Sequence, residues 1–251
     1  MSTKTTVDWL RHISRIIKEG DWVGNTKELI NLTFEYDTQY PVINATNRGI
    51  NYGFMAAEAS YILQGRNDIG YLKNILPQFS KYSETGYYQP GAYGPQVVDQ
   101  LEYVILNLLE NKLSRQAVLS IWRPSPRKSP DTPCTLTMQF LVRDNKMDTV
   151  VNMRSSDAYM GLIYDTFCFA MISSAVCSFL DDVELGRTYI NAGSSHIYRS
   201  VLNHAAKLCV DPGTIEGGNK WLPTIPHDLI EVLEVIAKSD KPKGMLLYGK
   251  T

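Results

Sequence analysis

An alternating strand, a polar turn, a second strand and an apolar helix follow one another over residues 133–165 and beyond, and this order constrains the fold most. Apolar and polar residues alternate over 135–140, which predicts a strand with one buried face. Asp-Asn-Lys at 144–146 predicts a turn, and the apolar run after it predicts the second strand of a hairpin. The chain over 165–180 is apolar on all sides, which predicts a buried helix.

The rest of the chain mixes helices and strands without regular alternation. Helical spacing of apolar residues predicts helices over 9–17, 50–64, 96–110, 201–209 and 228–238, and further strands are predicted over 30–36, 117–122, 188–198 and 245–248. No repeat or linker divides the sequence. We therefore expect one α+β domain over residues 1–251, built on a largely antiparallel, twisted sheet with packed helices.

Charge and cysteine usage exclude several classes of protein. The formal net charge is -1, which argues against a protein that coats nucleic acid or a membrane surface. The four cysteines are far apart, so neither a disulfide framework nor a zinc site is expected, and no metal is predicted. The N-terminus lacks the apolar core of a signal peptide, and no apolar run is long enough to span a membrane. These features predict a cytoplasmic protein.

Cys134 is the candidate nucleophile. A free cysteine is more often an inert small residue in a core, and that interpretation is kept for Cys168, Cys177 and Cys209. Cys134 instead follows a basic loop and lies on the strand that pairs with the strand of Arg154. A nearby guanidinium favours the thiolate, which is the reactive form of a cysteine.

Two carboxyl groups are placed among apolar residues. Glu58 is either a surface glutamate on the polar face of its helix or a buried acid/base group whose pKa is raised by burial. Asp165 is either the N-cap of the long apolar helix or a group that hydrogen-bonds a nucleobase. His196 and Tyr198 alternate on one strand and point to the same face, where they either hold a sugar hydroxyl or form an ordinary half-exposed strand surface.

A long loop over 77–95 is rich in tyrosine, glycine, serine and proline, and loops of this length are usually functional or mobile. The sequence has no glycine-rich phosphate-binding loop of the usual kinds. A bound phosphate would therefore be held by arginines and hydroxyl groups.

Seven motifs, in order and at matching spacing, resemble the thymidylate synthase family. Within it the chain resembles most the phage deoxycytidylate hydroxymethylases, which belong to phages that modify the cytosines of their DNA. The resemblance covers about residues 48–198. Its motifs are EASYILQG from Glu58, GAYGPQ from Gly91, SRQ from Ser114, PCT from Pro133, MRSSD from Met153, GLIYD from Gly161 and GSSHIY from Gly193.

The resemblance implies a role for each polar residue of these motifs. Cys134 would add to C6 of a pyrimidine, Glu58 would organise water and proton transfers, and Tyr93 would lie near C5. It also implies a homodimer in which one face of the sheet forms the interface. The remaining implied roles are phosphate binding by Arg154, Ser155 and by Arg115 of the second subunit, pterin and base contacts by Asp157, and binding of the 3′-hydroxyl by His196 and Tyr198.

Departures from the synthase pattern point to cytosine. Asp165 stands where thymidylate synthases have asparagine, and a carboxyl can accept from the 4-amine of cytosine and, when protonated, donate to N3. Thr135 replaces the usual histidine. The tryptophans of the long loop appear as Phe79 and Tyr82, which with Asp157 and Glu58 form the implied folate site. Gln116 replaces an interface arginine, so phosphate binding would be weaker or would rely on Lys27 or Arg127.

The resemblance implies that dCMP and 5,10-methylenetetrahydrofolate give 5-hydroxymethyl-dCMP, with Glu58 positioning the water that is added. The sequence separates this product poorly from 5-methyl-dCMP and dihydrofolate. Methylation of dUMP is a third option, which Asp165 disfavours. A nucleotide-, folate- or RNA-binding relative without catalysis is a fourth, and the joint presence of Cys134, Glu58, Arg154 and Asp157 speaks against it.

Overall fold

The computed structural model describes residues 1–123, 129 and 131–248. Within this part of the chain, six strands form one sheet in the order β1-β2-β6-β5-β4-β3. Only β5 and β6 run parallel, so the predicted α+β fold with a largely antiparallel sheet is confirmed. The strands are β1 (Asp21–Val23), β2 (Thr26–Asp37), β3 (Val118–Ser120), β4 (Thr135–Arg143), β5 (Lys146–Asp157) and β6 (Glu184–Tyr198).

The predicted hairpin is present as β4 and β5. Asp144 and Asn145 both have positive φ, which these two residue types tolerate better than other side chains, and they form the two-residue turn between the strands. At the open end of the hairpin the backbone N–H of Arg154 donates to the carbonyl oxygen of Cys134 at 2.8 Å. The pairing of the two strands therefore places the backbone of Arg154 directly opposite that of Cys134, the candidate nucleophile.

The parallel pairing of β5 with β6 brings a second pair of candidate residues together, because Asp157 lies opposite His196 in the register. The N–H of Ala158 donates to the carbonyl oxygen of His196 at 2.9 Å, and the carbonyl of Ala158 accepts from the indole of the fully buried Trp9 at 2.8 Å. The turn after β5 is thus held by both the sheet and the first helix.

Eight α-helices are described. Helix α5 has no polar side, and most of its residues are buried in the core of the fold, as its sequence predicts. Two short 3₁₀ turns cover Thr46–Arg48 and Pro77–Tyr82. The helices are α1 (Lys4–Glu19), α2 (Tyr52–Leu63), α3 (Ile69–Ile75), α4 (Gly94–Glu110), α5 (Gly161–Cys177), α6 (Arg199–Val210), α7 (Pro226–Ala237) and α8 (Pro242–Tyr248).

Two sequence-based expectations are wrong. The predicted strand over 245–248 is the helix α8, which has a proline in its first turn; a short apolar run does not distinguish a strand from a buried helix. Helix α5 begins at Gly161, four residues before Asp165, so Asp165 is not an N-cap. The chain enters this helix early because the side chain of Asp157 accepts hydrogen bonds from the N–H groups of Tyr159 and Met160.

The other predicted elements are present and differ only in extent, whereas β1 and α3 were not predicted. Strands β2 and β6 are longer than predicted because they pair with each other from Thr26 to Asp37. Helix α3 was not predicted, although Asp68 caps it by accepting from the N–H of Tyr71. No helix in the described part of the chain is long and apolar enough to cross a membrane.

Candidate active site

A cavity with an empty volume of about 750 Å³, including its open mouth, contains most of the candidate catalytic residues. Its walls come from α2, the 3₁₀ turn at 77–82, the segments 89–93 and 131–134, and α5. Six predicted site residues line it: Glu58, Phe79, Tyr82, Tyr93, Cys134 and Asp165. These residues are distant in sequence, so the fold itself assembles the site that the motifs predicted.

Cys134 lies at the cavity wall just before β4. Its Sγ is 3.6 Å from Nη2 of Arg154 and 3.8 Å from Oγ of Ser155. The guanidinium lowers the pKa of the thiol as expected, but burial is the larger effect and the carboxyl of Asp165 adds to it, so the pKa of Cys134 is raised. In the free protein the thiol form is therefore favoured, contrary to the expectation from Arg154 alone.

Arg154 holds the segment that leads to the nucleophile. Its Nε donates to the carbonyl of Pro133 at 2.9 Å and its Nη2 donates to the carbonyl of Thr132 at 2.9 Å. Nη1 lies 3.4 Å from Oγ of Ser155, and the side chain is otherwise exposed. The group is thus fixed in direction, with one edge toward solvent where an anion can approach.

Glu58 and Asp165 face the same cavity from α2 and α5. Burial, with the charge of Asp165 second, raises the pKa of Glu58 to about 8. Burial, with the charge of Asp157 second, raises the pKa of Asp165 to about 7. Cys168 donates to Oε2 of Glu58 at 3.8 Å. At neutral pH Glu58 is mainly a proton donor, and Asp165 is present in both protonation states.

Tyr93 lies against the nucleophile strand, where its hydroxyl accepts from the N–H of Thr135 at 3.3 Å. Burial, then the charges of Asp165 and Cys134, raise the pKa of the tyrosine well above its ordinary value. The hydroxyl therefore stays protonated and can donate a hydrogen bond to a bound base.

His196 and Tyr198 share one face of β6 as predicted, with ring centroids 5.2 Å apart in an edge arrangement. Asp157 is close enough to His196 for the two charges to interact, and its Oδ1 accepts from the N–H groups of Tyr159 and Met160. Burial nevertheless raises the pKa of Asp157. Asp157, His196 and Tyr198 do not line the cavity; they lie at the ends of β5 and β6.

The aromatic residues of the long loop form one wall. Phe79 is buried and Tyr82 is exposed, with ring centroids 5.1 Å apart, and Phe79 also packs on Phe54 of α2. The planes of Phe79 and Tyr82 are inclined by 60° in an edge arrangement, so the pair forms an angled aromatic wall. Either ring face alone can pack on a bound heterocycle.

Apart from Arg154, the cationic candidates for phosphate binding are not gathered at the cavity. Arg115 is exposed at the end of the segment before β3, and Lys27 donates to the carbonyl of Ile17 at 2.5 Å. Lys27 is thus engaged by the backbone near the start of β2, which disfavours it as a phosphate ligand. Arg127 lies outside the described residues.

Sequence reasoning missed five polar residues of the cavity: Tyr61, Gln89, Asp131, Thr132 and Cys168. The interpretation of Cys168 as a core residue is incomplete, because its buried thiol contacts Glu58. Asp131 had one signal in the sequence, its position three residues before Cys134 between two prolines. Tyr61 had none, since an aromatic residue on an apolar helix is usually core.

The sequence is similar to those of known proteins. The family model described as Thymidylate synthase matches residues 8–211. The chain is 29% identical over 261 residues to a deoxyuridylate hydroxymethyltransferase of Bacillus phage SP01, covering 92% of this chain and 67% of that protein. It is 30% identical to one of Pseudomonas phage M6 over 64% of this chain and 48% of that protein, about half its length. A thymidylate synthase of Francisella philomiragia is 26% identical over 88% of this chain and 84% of that protein.

Proposed function

The chain belongs to the thymidylate synthase family, and we propose that it converts dCMP and 5,10-methylenetetrahydrofolate to 5-hydroxymethyl-dCMP and tetrahydrofolate. The observation that carries this proposal is a carboxyl group, Asp165, in the wall of the cavity that also contains Cys134. Membership of this family supports folate-dependent one-carbon transfer to C5 of a pyrimidine nucleotide, and the choice of base rests on Asp165.

The nucleophile would act first. Cys134 adds to C6 of the base, which places the electron pair of the C5–C6 double bond on C5. The raised pKa of the thiol means that its proton must leave as the base binds, and Arg154, 3.6 Å from Sγ, stabilises the thiolate at that point. C5 then attacks the methylene group that the folate supplies.

Asp165 would select the base and stabilise the adduct. Negative charge develops at N3 and N4 of cytosine when Cys134 adds, and a protonated carboxyl can donate to N3 while its other oxygen accepts from the 4-amine. A pKa of about 7 suits this role, because the group holds a proton at neutral pH and can pass it to N3 in the transition state.

Loss of the C5 proton and departure of tetrahydrofolate would leave an exocyclic methylene on C5. Tyr93 lies beside Cys134 near C5, and Glu58, protonated below about pH 8, donates into the same space. Addition of water to the methylene gives the hydroxymethyl group. Expulsion of Cys134 restores the aromatic base.

Substrate binding would use the remaining residues. Arg154 and Ser155 lie at the cavity edge and suit the phosphate, His196 and Tyr198 suit the 3′-hydroxyl, and Asp157 with the rings of Phe79 and Tyr82 suits the pterin. We also propose a homodimer that completes the phosphate site with Arg115. This guanidinium is exposed and forms no ion pair with any residue described by the structure.

A second candidate is hydroxymethylation of dUMP, because two of the relatives carry that activity in their names. A protonated Asp165 fits uracil as well, since it can accept from N3–H and donate to O4. The ionised form fits neither base well: one oxygen can accept from N3–H of uracil or from the 4-amine of cytosine, but the other then faces O4 or the unprotonated N3, and both of these are acceptors. The two candidates are therefore separated by direct assay of dCMP against dUMP, and the proposed reaction on dCMP depends on the protonated form of Asp165.

We expect the advantage of wild type over Asp165→Asn on dCMP to shrink as pH rises. Above a pKa of about 7 the carboxylate fraction of Asp165 grows, and the carboxylate has no proton to donate to N3 of cytosine. The ratio of the two kcat/KM values, wild type to variant, should fall by about tenfold per pH unit above 7, the slope of a single ionisation. Steady-state assays of both enzymes with dCMP between pH 6 and 9 measure this ratio.

Asp165→Asn is the matched reference, because it has no ionisable group at this position and shares every other ionisation with wild type, including that of Cys134. A ratio of wild type to variant that is flat, or that rises with pH, would contradict the role of a protonated Asp165 in the reaction of dCMP.

A further inference from the structure

The cavity contains a second polar wall that the mechanism above does not use. Asp131, Gln89 and Tyr61 line it, with Asp131 only three residues before Cys134. Burial is the largest cause of the raised pKa of Cys134, and the charges of Asp165 and Asp131 both add to it, so Asp131 is within electrostatic reach of the nucleophile. A carboxyl group in this position can take part in a proton transfer close to the nucleophile.

Asp131 is held in a fixed direction by the segment that carries Tyr93. Its Oδ2 accepts from the N–H of Gly91 at 2.7 Å, and its Oδ1 accepts from Nε2 of Gln89 at 3.4 Å. A Cβ on Gly91 would lie 2.8 Å from the carbonyl oxygen of Asp131 and 2.9 Å from Oδ2, so only glycine permits this approach. The carboxyl group is therefore preorganised rather than free to rotate into solvent.

The carboxylate of Asp131 and the hydroxyl of Tyr61 can both form further hydrogen bonds. Each carboxylate oxygen can accept two hydrogen bonds, and each has one in the described structure. The hydroxyl of Tyr61 is buried, with the side chain 2% exposed, and it has no hydrogen-bond partner among the residues that the structure describes. A buried hydroxyl and a carboxylate with spare acceptor sites on one cavity wall suit an ordered water molecule.

The other carboxyl groups of the cavity are poorly suited to take a proton from water. Glu58 has a pKa of about 8 and is already protonated at neutral pH, so it can orient a water molecule by donation but cannot accept its proton. Asp165 is occupied by the base in the proposed reaction. Burial raises the pKa of Asp131 as well, and the hydrogen bonds from Gly91 and Gln89 oppose that rise.

We propose that Asp131 is the general base of the hydration step, an inference that rests on the proposed hydroxymethyl transfer. The oxygen of a water molecule held by Asp131 and Tyr61 forms a bond to the exocyclic methylene carbon, and one water proton passes to Asp131. The electron pair of the exocyclic double bond moves into the ring, onto N3 and N4 or O4. That pair then restores the C5–C6 double bond as Sγ of Cys134 leaves as the thiolate. No oxidant or reductant is consumed.

The test is the variant Asp131→Asn, in which the amide oxygen can still accept from the N–H of Gly91 but the group cannot take a proton. With enzyme in excess over nucleotide tritiated at C5, release of tritium reports every step before hydration. Tritium release should stay within about threefold of wild type, whereas formation of the hydroxymethyl product should slow by about a hundredfold, the effect typical of losing a general base.

Added 2-mercaptoethanol supplies a second readout, because an unhydrated exocyclic methylene reacts with thiols. Asp131→Asn should divert most of the one-carbon unit to the thioether, and wild type should not. Asp99→Asn is the matched control: it makes the same change at an exposed carboxylate of α4 that does not line the cavity, so its partition between water and thiol should match wild type.

Parallel slowing of tritium release and product formation in Asp131→Asn would overturn the proposal and leave Asp131 as a positioning residue for the Cys134 segment. The hydration step is the same for either base, so the assay with tritiated dUMP tests Asp131 even if wild type prefers dUMP. A wild-type enzyme that makes only a methyl product would overturn the inference together with the choice of product.

Discussion

Replacing Cys134 by alanine should reduce turnover by about 10⁴-fold or more, the scale seen when a catalytic nucleophile is removed. Alanine cannot add to C6, so C5 never becomes nucleophilic and neither transfer nor hydration can begin. Binding of dCMP should survive within about fivefold, because the phosphate, sugar and base contacts assigned to Arg154, His196 and Asp165 do not involve Sγ. Steady-state turnover and calorimetric titration with dCMP measure the two quantities separately.

The adduct itself can be detected by mass spectrometry. With 5-fluoro-dCMP and methylenetetrahydrofolate, fluorine replaces the proton that must leave C5, so the reaction should stop with the nucleotide attached to the peptide that contains Cys134. Cys168→Ala is the matched control, since it removes the other cavity thiol and should leave the adduct in place. Turnover that persists in Cys134→Ala, or an adduct on Cys168, would contradict the assignment of the nucleophile.

Replacing Asp165 by asparagine should reverse the substrate preference of the enzyme. For dCMP, kcat/KM should fall by about a hundredfold, because an amide can donate a hydrogen bond to N3 but cannot transfer a proton to it. For dUMP it should rise, because the amide donates to O4 and accepts from N3–H without the repulsion of a carboxylate. Together these changes should shift the ratio of the two kcat/KM values by about 10³-fold or more.

The control for this change is Asp157→Asn. The charge of Asp157 contributes to the raised pKa of Asp165, after burial, so its removal should lower the pKa of Asp165 toward its ordinary value. That variant should still prefer dCMP, and the fall of kcat/KM for dCMP that follows ionisation of Asp165 should move to lower pH. If Asp165→Asn kept the wild-type preference while remaining folded and active, the base would be read elsewhere in the cavity.

The parts of the site that share one local element could be predicted from the sequence. The alternation of β4 and β5 and the Asp-Asn turn set the register of the hairpin as far as Thr137. An irregularity between Thr135 and Thr137 then shifts the register by one residue, so that Cys134 lies opposite Arg154 instead of its neighbour Ser155. His196 and Tyr198 follow in the same way from the period of β6. The raised pKa of the Cys134 thiol could not be predicted from the sequence, because the degree of burial of a thiol depends on helices that are far away in sequence.

Other parts of the site depend on tertiary contacts that leave little trace in the sequence. Asp165 was predicted at the start of α5, but the turn stabilised by Asp157 starts the helix one turn earlier and puts Asp165 in the cavity wall. The role of Asp131 depends on the close approach of Gly91, forty residues earlier in the chain. A glycine in a tyrosine-rich loop predicts flexibility, and only the fold shows that it permits this contact.

The most direct test of the central claim is to identify the product that wild-type enzyme makes from an equimolar mixture of dCMP and dUMP with methylenetetrahydrofolate at pH 7. At this pH a large fraction of Asp165, with a pKa of about 7, still holds the proton that the proposed reaction donates to N3 of cytosine. Mass spectrometry of the nucleotides should show dCMP gaining one formaldehyde unit while dUMP remains unchanged. Equal consumption of dUMP would contradict the selection of the base by Asp165, and a gain of one methylene unit would contradict hydration of the intermediate.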